Sequence, residues 1–391
     1  MESIFSLFAQ YTLVEWLLTG SLLLLFLIHL LFCILLYRKP YTYERKRKVP
    51  AVAEEELPGI SVIISSKNNS EELAKNLPFI LEQDYPLFEV IVVNCGSTDE
   101  TDMVLKAAEQ KYPHLYHTYV PADSDGTNEK KLSLTIGIKA AKHEILLFTE
   151  AYCRPVTARW IREYGKAFLQ ERDIVLGYSR LIIEKKVWMR QFIHFDNLIH
   201  HLKFIAMALA HKPFMGIGRN MAYKKALFYG NKGFSPILNI EGGEDDLYIN
   251  RIARGKKTGV VMTADSMTDT RGIDSFFTWR SIKSKYLYTK QFYRGFAFHL
   301  LGVETVTKYA FYLAFLAIVG LAIMNAAYYL AAFALLLAIL RFFVLLVIIN
   351  KNSVLFDGSK YHLNLFLFEL FQPFNNLRFR KYANRRNNTR R

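Results

Sequence analysis

Phe88-Glu-Val-Ile-Val-Val-Asn-Cys-Gly-Ser-Thr-Asp-Glu-Thr101 is the stretch on which the fold turns. Its first part, Phe88 to Asn94, is a short, nearly continuous apolar run, the pattern of a strand buried on both faces. Gly96 lets the backbone turn, and Ser97 or Asp99 can cap a helix, predicted over Asp99 to Tyr112. The same alternation continues on either side. Ile60 to Ser65 reads as a strand and Glu71 to Leu81 as a helix; Lys130 to Lys142 reads as a helix and Glu144 to Thr149 as a strand. Strands alternating with helices imply an α/β domain with a mainly parallel sheet covered on both faces. In such sheets ligands bind beyond the carboxyl ends of the strands, so the residues just after each strand are the candidates for chemistry.

The ends of the chain follow different physics. Trp16 to Tyr37 is an almost unbroken apolar run. At 1.5 Å per residue it spans about 30 Å, enough for one membrane crossing. No basic residue precedes it, which disfavours a signal peptide. Arg38, Lys39, Arg45, Lys46, Arg47 and Lys48 follow it, so the N-terminus is expected outside and the next domain in the cytoplasm. Pro50 to Pro58 reads as a linker. Tyr309 to Asn350 is too long for one crossing and reads as a helical hairpin turning at Asn325-Ala-Ala-Tyr328. Leu363 to Phe374, interrupted near its end by Pro373, reads as an interfacial stretch. The basic tail Arg378, Arg380, Lys381, Arg385, Arg386, Arg390 and Arg391 is expected on anionic lipid. The implied divisions are 1–49, 50–300, 301–352 and 353–391, in a multi-pass protein of the inner membrane.

Net charge is +15, which points to nucleic acid, an anionic membrane or a phosphorylated substrate. The charge clusters beside apolar segments, so membrane lipids are the expected partner and nucleic acid is not. The three cysteines, Cys33, Cys95 and Cys153, have no metal-ligand or disulfide spacing and fit a reducing compartment. His194, His200, His201 and His211 lack a matching carboxylate or cysteine pattern and read as packing on an amphipathic helix. Arg341, near the middle of the last apolar helix, needs a partner or a route to water. A lipid phosphate, the membrane surface reached by tilt or snorkelling, or a distant Glu304 are the options.

Six segments form an ordered series: Ser61-Val-Ile-Ile-Ser-Ser-Lys-Asn68, Val92 to Thr101, Lys130 to Ala141, Leu147-Phe-Thr-Glu-Ala-Tyr-Cys-Arg-Pro155, Gly216-Ile-Gly-Arg-Asn220 and Gly242-Gly-Glu-Asp-Asp-Leu247. From Ile60 to Tyr293 the chain resembles the family-2 glycosyltransferases of GT-A fold, and among them membrane-bound members from Bacteroidetes-type bacteria.

The resemblance implies roles. Ser65, Asn69, Asn94, Lys130, Glu150 and Tyr152 fall on donor-binding positions. Asn94 and Gly96-Ser-Thr-Asp99 would lie beneath the nucleotide base, though the latter is equally a plain strand-to-helix turn. Lys130 would contact the donor diphosphate, or is a solvated charge on a helix. Glu150-Ala-Tyr152 stands where the family carries Asp-x-Asp, which holds a divalent cation, Mg²⁺ or Mn²⁺, on the diphosphate. Glu150 can be a ligand; Tyr152, neutral at neutral pH, is a poor one. Asn69, Asn94 and Tyr152 together neutralise three usually acidic positions.

Glu244-Asp245 matches the family's Glu-Asp motif, with Asp245 as the base that takes the acceptor's proton and Glu244 orienting it. The plain alternative is an acidic first turn on a helix from Asp246 to Ala253. Arg219, Asn220, Trp279, Lys283 and Lys285 fall on acceptor or diphosphate positions. Lys283 and Lys285 would neutralise the departing diphosphate, or snorkel to lipid headgroups. The expectation is an inverting transferase moving a sugar from a nucleotide-diphosphate donor to a lipid-linked or glycan acceptor. Three helices make a poor channel, so a processive synthase is disfavoured. The alternative is a non-catalytic domain that binds a partner enzyme or a sugar nucleotide.

Overall fold

The computed structural model describes residues 12–47, 53–120, 129–184 and 187–389. Lys48, the start of the linker, the side chain of Arg386, and Arg390 and Arg391 lie outside the described residues.

The soluble domain is an α/β layered structure. Strands β1 (Ile60–Ser66), β2 (Phe88–Cys95), β3 (Leu115–Val120) and β4 (Ile145–Glu150) are joined through helices α3 (Ser70–Leu81), α4 (Thr101–Lys111) and α5 (Glu129–Ala140). They pair in parallel, in the order β3-β2-β1-β4. Beyond β4 the sheet continues through β8 (Met221–Lys224), antiparallel to both neighbours, then β6 (Ile174–Gly177) and β9 (Thr258–Val261). A small second sheet joins β5 (Cys153–Pro155), β10 (Thr268–Thr270) and β7 (Ser179–Leu181). This is the mainly parallel GT-A architecture that the motif series implies.

The continuous apolar strands are explained by where successive side chains go. Val62 and Ile64 join Leu73 and Leu77 of α3, Leu105 of α4 and Trp160 of α6 (Trp160–Phe168) on one face. Ile63, between them, joins Ile138 of α5 and Leu202 of α7 (Arg190–Leu209) on the other. Both faces are dry, and each fully buried aliphatic contributes about 1.5–3 kcal/mol. The helix expected from Asp99 begins instead at Thr101. Asp99 stays outside because its carboxylate accepts from the backbone N–H groups of Ser70 and Thr101.

Among the described residues, three helices are long and apolar enough to cross a membrane. The first comprises α1 (Leu13–Phe32), a π-helical turn at Cys33–Tyr37 and α2 (Lys39–Lys46). The others are α11 (Phe296–Met324) and α12 (Tyr328–Leu355), which turn where the sequence suggests. They align end to end with the first: Asn325 in the hairpin turn donates to Glu15 at 2.9 Å, and Asn352 donates to the carbonyl of Tyr37 at 2.9 Å.

The last segment departs from expectation. One helix, α13 (Asn364–Thr389), runs through Pro373 into the basic residues. Proline strips the carbonyl four residues earlier of its helical partner. That carbonyl, on Glu369, is met by the Lys308 ammonium at 3.5 Å, and the next, on Leu370, accepts from the Tyr309 hydroxyl at 2.9 Å. Packing against α11 supplies what proline removes.

Candidate active site

At the carboxyl edge of the sheet, Ser65 from β1, Lys130 from α5, Glu150 from β4, Gly218, and the pair Glu244-Asp245 line one narrow cleft. Gly242 and Gly243, at φ +72° and +83°, bring the acidic pair round into it. Asp245 then caps α9 (Asp246–Ile252). Its carboxylate accepts from the Asp246 N–H at 2.7 Å, the Gly218 N–H at 2.8 Å and the Tyr286 hydroxyl at 3.0 Å. A Cβ on residue 218 would lie 3.3 Å from Asp245, so glycine is what permits so close an approach. Behind it, Asp246 is buried and accepts from the hydroxyls of Thr289 and Tyr293. Burial, then the charge of Asp245, pushes the Asp246 carboxyl well above the usual range.

Lys130 lies across the cleft. Its ammonium is 2.6 Å from Glu150 Oε1 and 3.2 Å from Glu244 Oε1. Burial works against its charge, but the carboxylates of Glu150 and Glu244 more than reverse this and hold its pKa well above that of free lysine. Burial likewise opposes the Glu244 charge, and Lys130 overcomes it, keeping that carboxyl below its ordinary value. Burial, then the charge of Glu150, pushes the Tyr152 phenol up, so it stays neutral. These residues do not fit a divalent cation as they stand. Of the three carboxylates facing the cleft, Glu150 and Glu244 share the Lys130 ammonium and Asp245 is held by two backbone N–H groups and a tyrosine hydroxyl, while Tyr152 offers a protonated phenol.

The loops that follow β1 and β2 are locked together. The Asn94 side chain accepts from the Ser97 N–H at 3.1 Å, and that of Asn68 from the Thr98 N–H at 2.8 Å. Ser97 Oγ accepts from the Asn68 N–H at 2.9 Å. Asn69 stands at the start of α3, its N–H donating to Thr101 Oγ1 at 3.3 Å. Ser65 Oγ meets Ser133 Oγ at 2.6 Å.

Other candidates are placed elsewhere. Asn220 spends its amide inside the core: it donates to the carbonyls of Tyr178 and Ser266 and accepts from Trp160 and Tyr164. It is a brace rather than an acceptor contact. Arg219 is buried below the cleft, donating to Thr270 Oγ1 at 3.2 Å and to Asn197 Oδ1 at 3.5 Å. Trp279 and Lys283, on α10 (Phe276–Thr289), both bond Asp196 of α7, the indole at 2.9 Å. Lys283 is therefore paired within the protein and does not face the cleft. Lys285 is exposed on the same helix. His201 is a core residue, its Nδ1 2.9 Å from the Asn197 carbonyl. Arg341 pairs with Glu369 of α13, 2.5 Å away, and donates to the Tyr312 hydroxyl at 2.9 Å; its partner is neither Glu304 nor the membrane surface.

Sequence reasoning missed Tyr286, Asp196 and Glu369. Tyr286, Thr289 and Tyr293 recur at helical spacing and all turn toward α9, a pattern that was legible. Asp196 and Glu369 are single acids on long helices and carry no local signal.

Residues 61–230 match the model of the family described as Glycosyl transferase family 2. A ceramide glucosyltransferase of Komagataella phaffii is 22% identical over 237 residues, 55% of this chain and 43% of that protein. A hyaluronan synthase of Pasteurella multocida is 24% identical over 162 residues, 41% of this chain and 16% of that protein. The chain thus spans less than half the length of these relatives. A mannosyltransferase from Pyrobaculum calidifontis, solved with GDP-Man and Mn²⁺, superposes with a TM-score of 0.55 at 19% identity, covering 87% of this chain and 98% of that one. That likeness is one of fold.

Proposed function

We infer that the protein, whose residues 61–230 match the model of Glycosyl transferase family 2, is an inverting transferase. It moves a sugar from a nucleotide-diphosphate donor to a hydroxyl on a lipid-linked glycan. The observation that carries this reading is the position of Asp245, held by two backbone N–H groups and a tyrosine hydroxyl in the same cleft as Lys130.

The roles follow from charge. The acceptor hydroxyl gives its proton to Asp245 as its oxygen forms a bond to the anomeric carbon. The bond from that carbon to the diphosphate oxygen breaks on the opposite face, so the configuration inverts. The electron pair leaves with the nucleotide diphosphate, whose new charge Lys130 meets by giving up its contacts to Glu150 and Glu244. On this reading the lysine supplies the positive charge that a divalent cation would otherwise bring, and neither Mg²⁺ nor Mn²⁺ is required. Arrival of the donor, by drawing Lys130 away, frees Glu244 to orient the acceptor beside Asp245.

The membrane arrangement follows from the same sequence. On the same reading the basic residues Arg38 to Arg47 and Arg378 to Arg385 face the cytoplasm with the soluble domain, and Asn325 faces outside; the basic flanks of the apolar segments support it. A cysteine at Asn325 should react with an impermeant reagent in intact cells, and one at Lys360 should not.

The decisive measurement for the reaction is a thermal-shift screen of the purified full chain against sugar nucleotides, with and without Mn²⁺, followed by nucleotide release in membranes. At least one donor should stabilise the protein without Mn²⁺ and turn over. Binding without turnover under any acceptor condition would favour the non-catalytic alternative, and binding to none would end both readings.

A further inference from the structure

Between the soluble domain and the membrane helices lies a groove of about 590 Å³. It is separate from the donor cleft but shares a wall with it. Tyr286 lines the groove, and its hydroxyl donates to Asp245 at 3.0 Å. Among the described residues, four cations line the groove, Lys203, Lys283, Lys290 and Arg380, and no carboxylate does.

The four are not equivalent. Lys283 is paired with Asp196, and Lys203 with Glu304 at 2.8 Å. Among the described residues, no carboxylate comes within ion-pair distance of Lys290 or Arg380. The Lys290 ammonium instead sits 5.1 Å from the centre of the Phe298 ring. Two uncompensated cations thus flank a groove whose other cations are already neutralised. Such a surface is complementary to an anion. The remaining walls are mainly apolar, with Gln291, Thr305, Gln372 and Asn376 among them: Leu301, Val306 and Tyr309 come from the first half of α11, a helix apolar enough to cross the membrane, and Leu377 from α13. An occupant that satisfies both halves carries negative charge at one end and a hydrocarbon chain at the other.

We propose that this groove binds a phosphate-bearing lipid, the phosphate between Lys290 and Arg380 and the chain along α11, so that the sugar it carries reaches Asp245 past Tyr286. The assignment rests on the transfer reading for the fate of the lipid, but not for its binding. A sugar joined to the phosphate would extend from the cations toward Tyr286, the side on which the base lies. Crowding by surrounding protein, then Lys203, Lys283 and Arg380, lowers the Lys290 pKa to about 8, with Glu304 opposing. A bound phosphate would relieve that repulsion.

The test uses the full chain in nanodiscs and three probes: dodecyl phosphate, dodecanol and inorganic phosphate. Dodecyl phosphate should bind the native protein, and Lys290→Gln with Arg380→Gln should weaken it about tenfold or more, as loss of charged contacts requires. Lys290→Arg should retain binding, which separates charge from packing. Sugar-nucleotide thermal shifts should be the same in all variants, so failure here is distinguishable from failure of the transfer reading. Equal binding of dodecyl phosphate by the double variant would overturn the proposal. So would dodecanol binding as tightly as its phosphate, or inorganic phosphate competing as well as the lipid.

Discussion

The donor cleft and the layer between domain and membrane both bury ion pairs, but the pairs are built differently. In the cleft, the Lys130 side chain keeps 41% of its exposure while Glu150 keeps 11%. In the layer both partners are sealed: 4% and 1% for Lys283 with Asp196, 6% and 9% for Arg341 with Glu369. A pair with one open partner can exchange a carboxylate for an incoming phosphate at small cost in solvation. A pair sealed on both sides cannot open without leaving a charge unsatisfied in a dry site. The first kind suits chemistry and the second holds elements together. The sealed pairs here join α7 to α10 and α12 to α13; of these, α7, α10 and α13 line the lipid groove.

The largest expected effect tests the cleft. Asp245→Asn preserves shape and removes the proton acceptor, so turnover should fall by about 10²–10⁴-fold with donor binding retained. Turnover at the native rate would take Asp245 out of the mechanism and leave the cleft with no base.

Next is the exchangeable cation. Lys130→Met should cost about 10²–10³-fold in rate, the usual loss when one electrostatic contact to a developing charge is removed. It also leaves Glu150 and Glu244 without their shared partner. The variant should therefore gain a response to Mn²⁺ that the native protein lacks, while EDTA leaves native turnover unchanged. Native activity abolished by EDTA and restored by Mn²⁺ would show that Lys130 does not replace the metal.

The sealed pair should respond in stability rather than rate. Arg341→Leu strands the Glu369 carboxylate and should destabilise the protein by about 3–5 kcal/mol, read by unfolding in nanodiscs. Adding Glu369→Leu should recover most of that loss. If the double variant is no better than the single one, the pair is not the unit that joins α12 to α13.

The same contrast explains what the sequence revealed. Three of the four parallel strands, β1, β2 and β4, were readable to within about a residue, because both faces are dry and every position from Val62 to Ile64 must be apolar; β3, at the sheet edge with Tyr116 and Tyr119 exposed, carries no such run and was missed. The acidic pair was readable because its local setting, two glycines before and a helix after, is contained in a few residues. Lys283 was misread, because its position on α10 is local information but its partner, Asp196, lies 87 residues away. Glu369 was hidden likewise: an acid one turn before a proline looks like a helix end, and only the Lys308 side chain from α11 shows why the helix continues. Three-dimensional pairing of buried charges leaves no periodic trace, whereas burial of a strand does.

The smallest expected effect concerns pH at the open groove. Lys290 faces Lys203 from α7, Lys283 from α10, Arg380 from α13 and Glu304 from α11. Crowding and the three cations outweigh the one carboxylate, so its pKa is lowered to about 8. Free lysine titrates near 10.4, so between about 8 and 10 the unfolded chain binds a proton there that the folded protein has released. The sign for folding is that stability rises with pH across this window. For anion binding it is the reverse, because the ammonium is the binding form and it is lost as pH rises through about 8. A phosphomonoester is already fully charged there, its second pKa being near 6, so the probe adds no titration of its own. Dodecyl phosphate affinity should therefore be level between about pH 7 and 7.5 and decline above pH 8, and the decline should vanish in Lys290→Gln. Arg380 stays charged throughout and should set the residual affinity at high pH. A profile that declines equally in Lys290→Gln would assign the titration to another group and leave Lys290 outside the phosphate site.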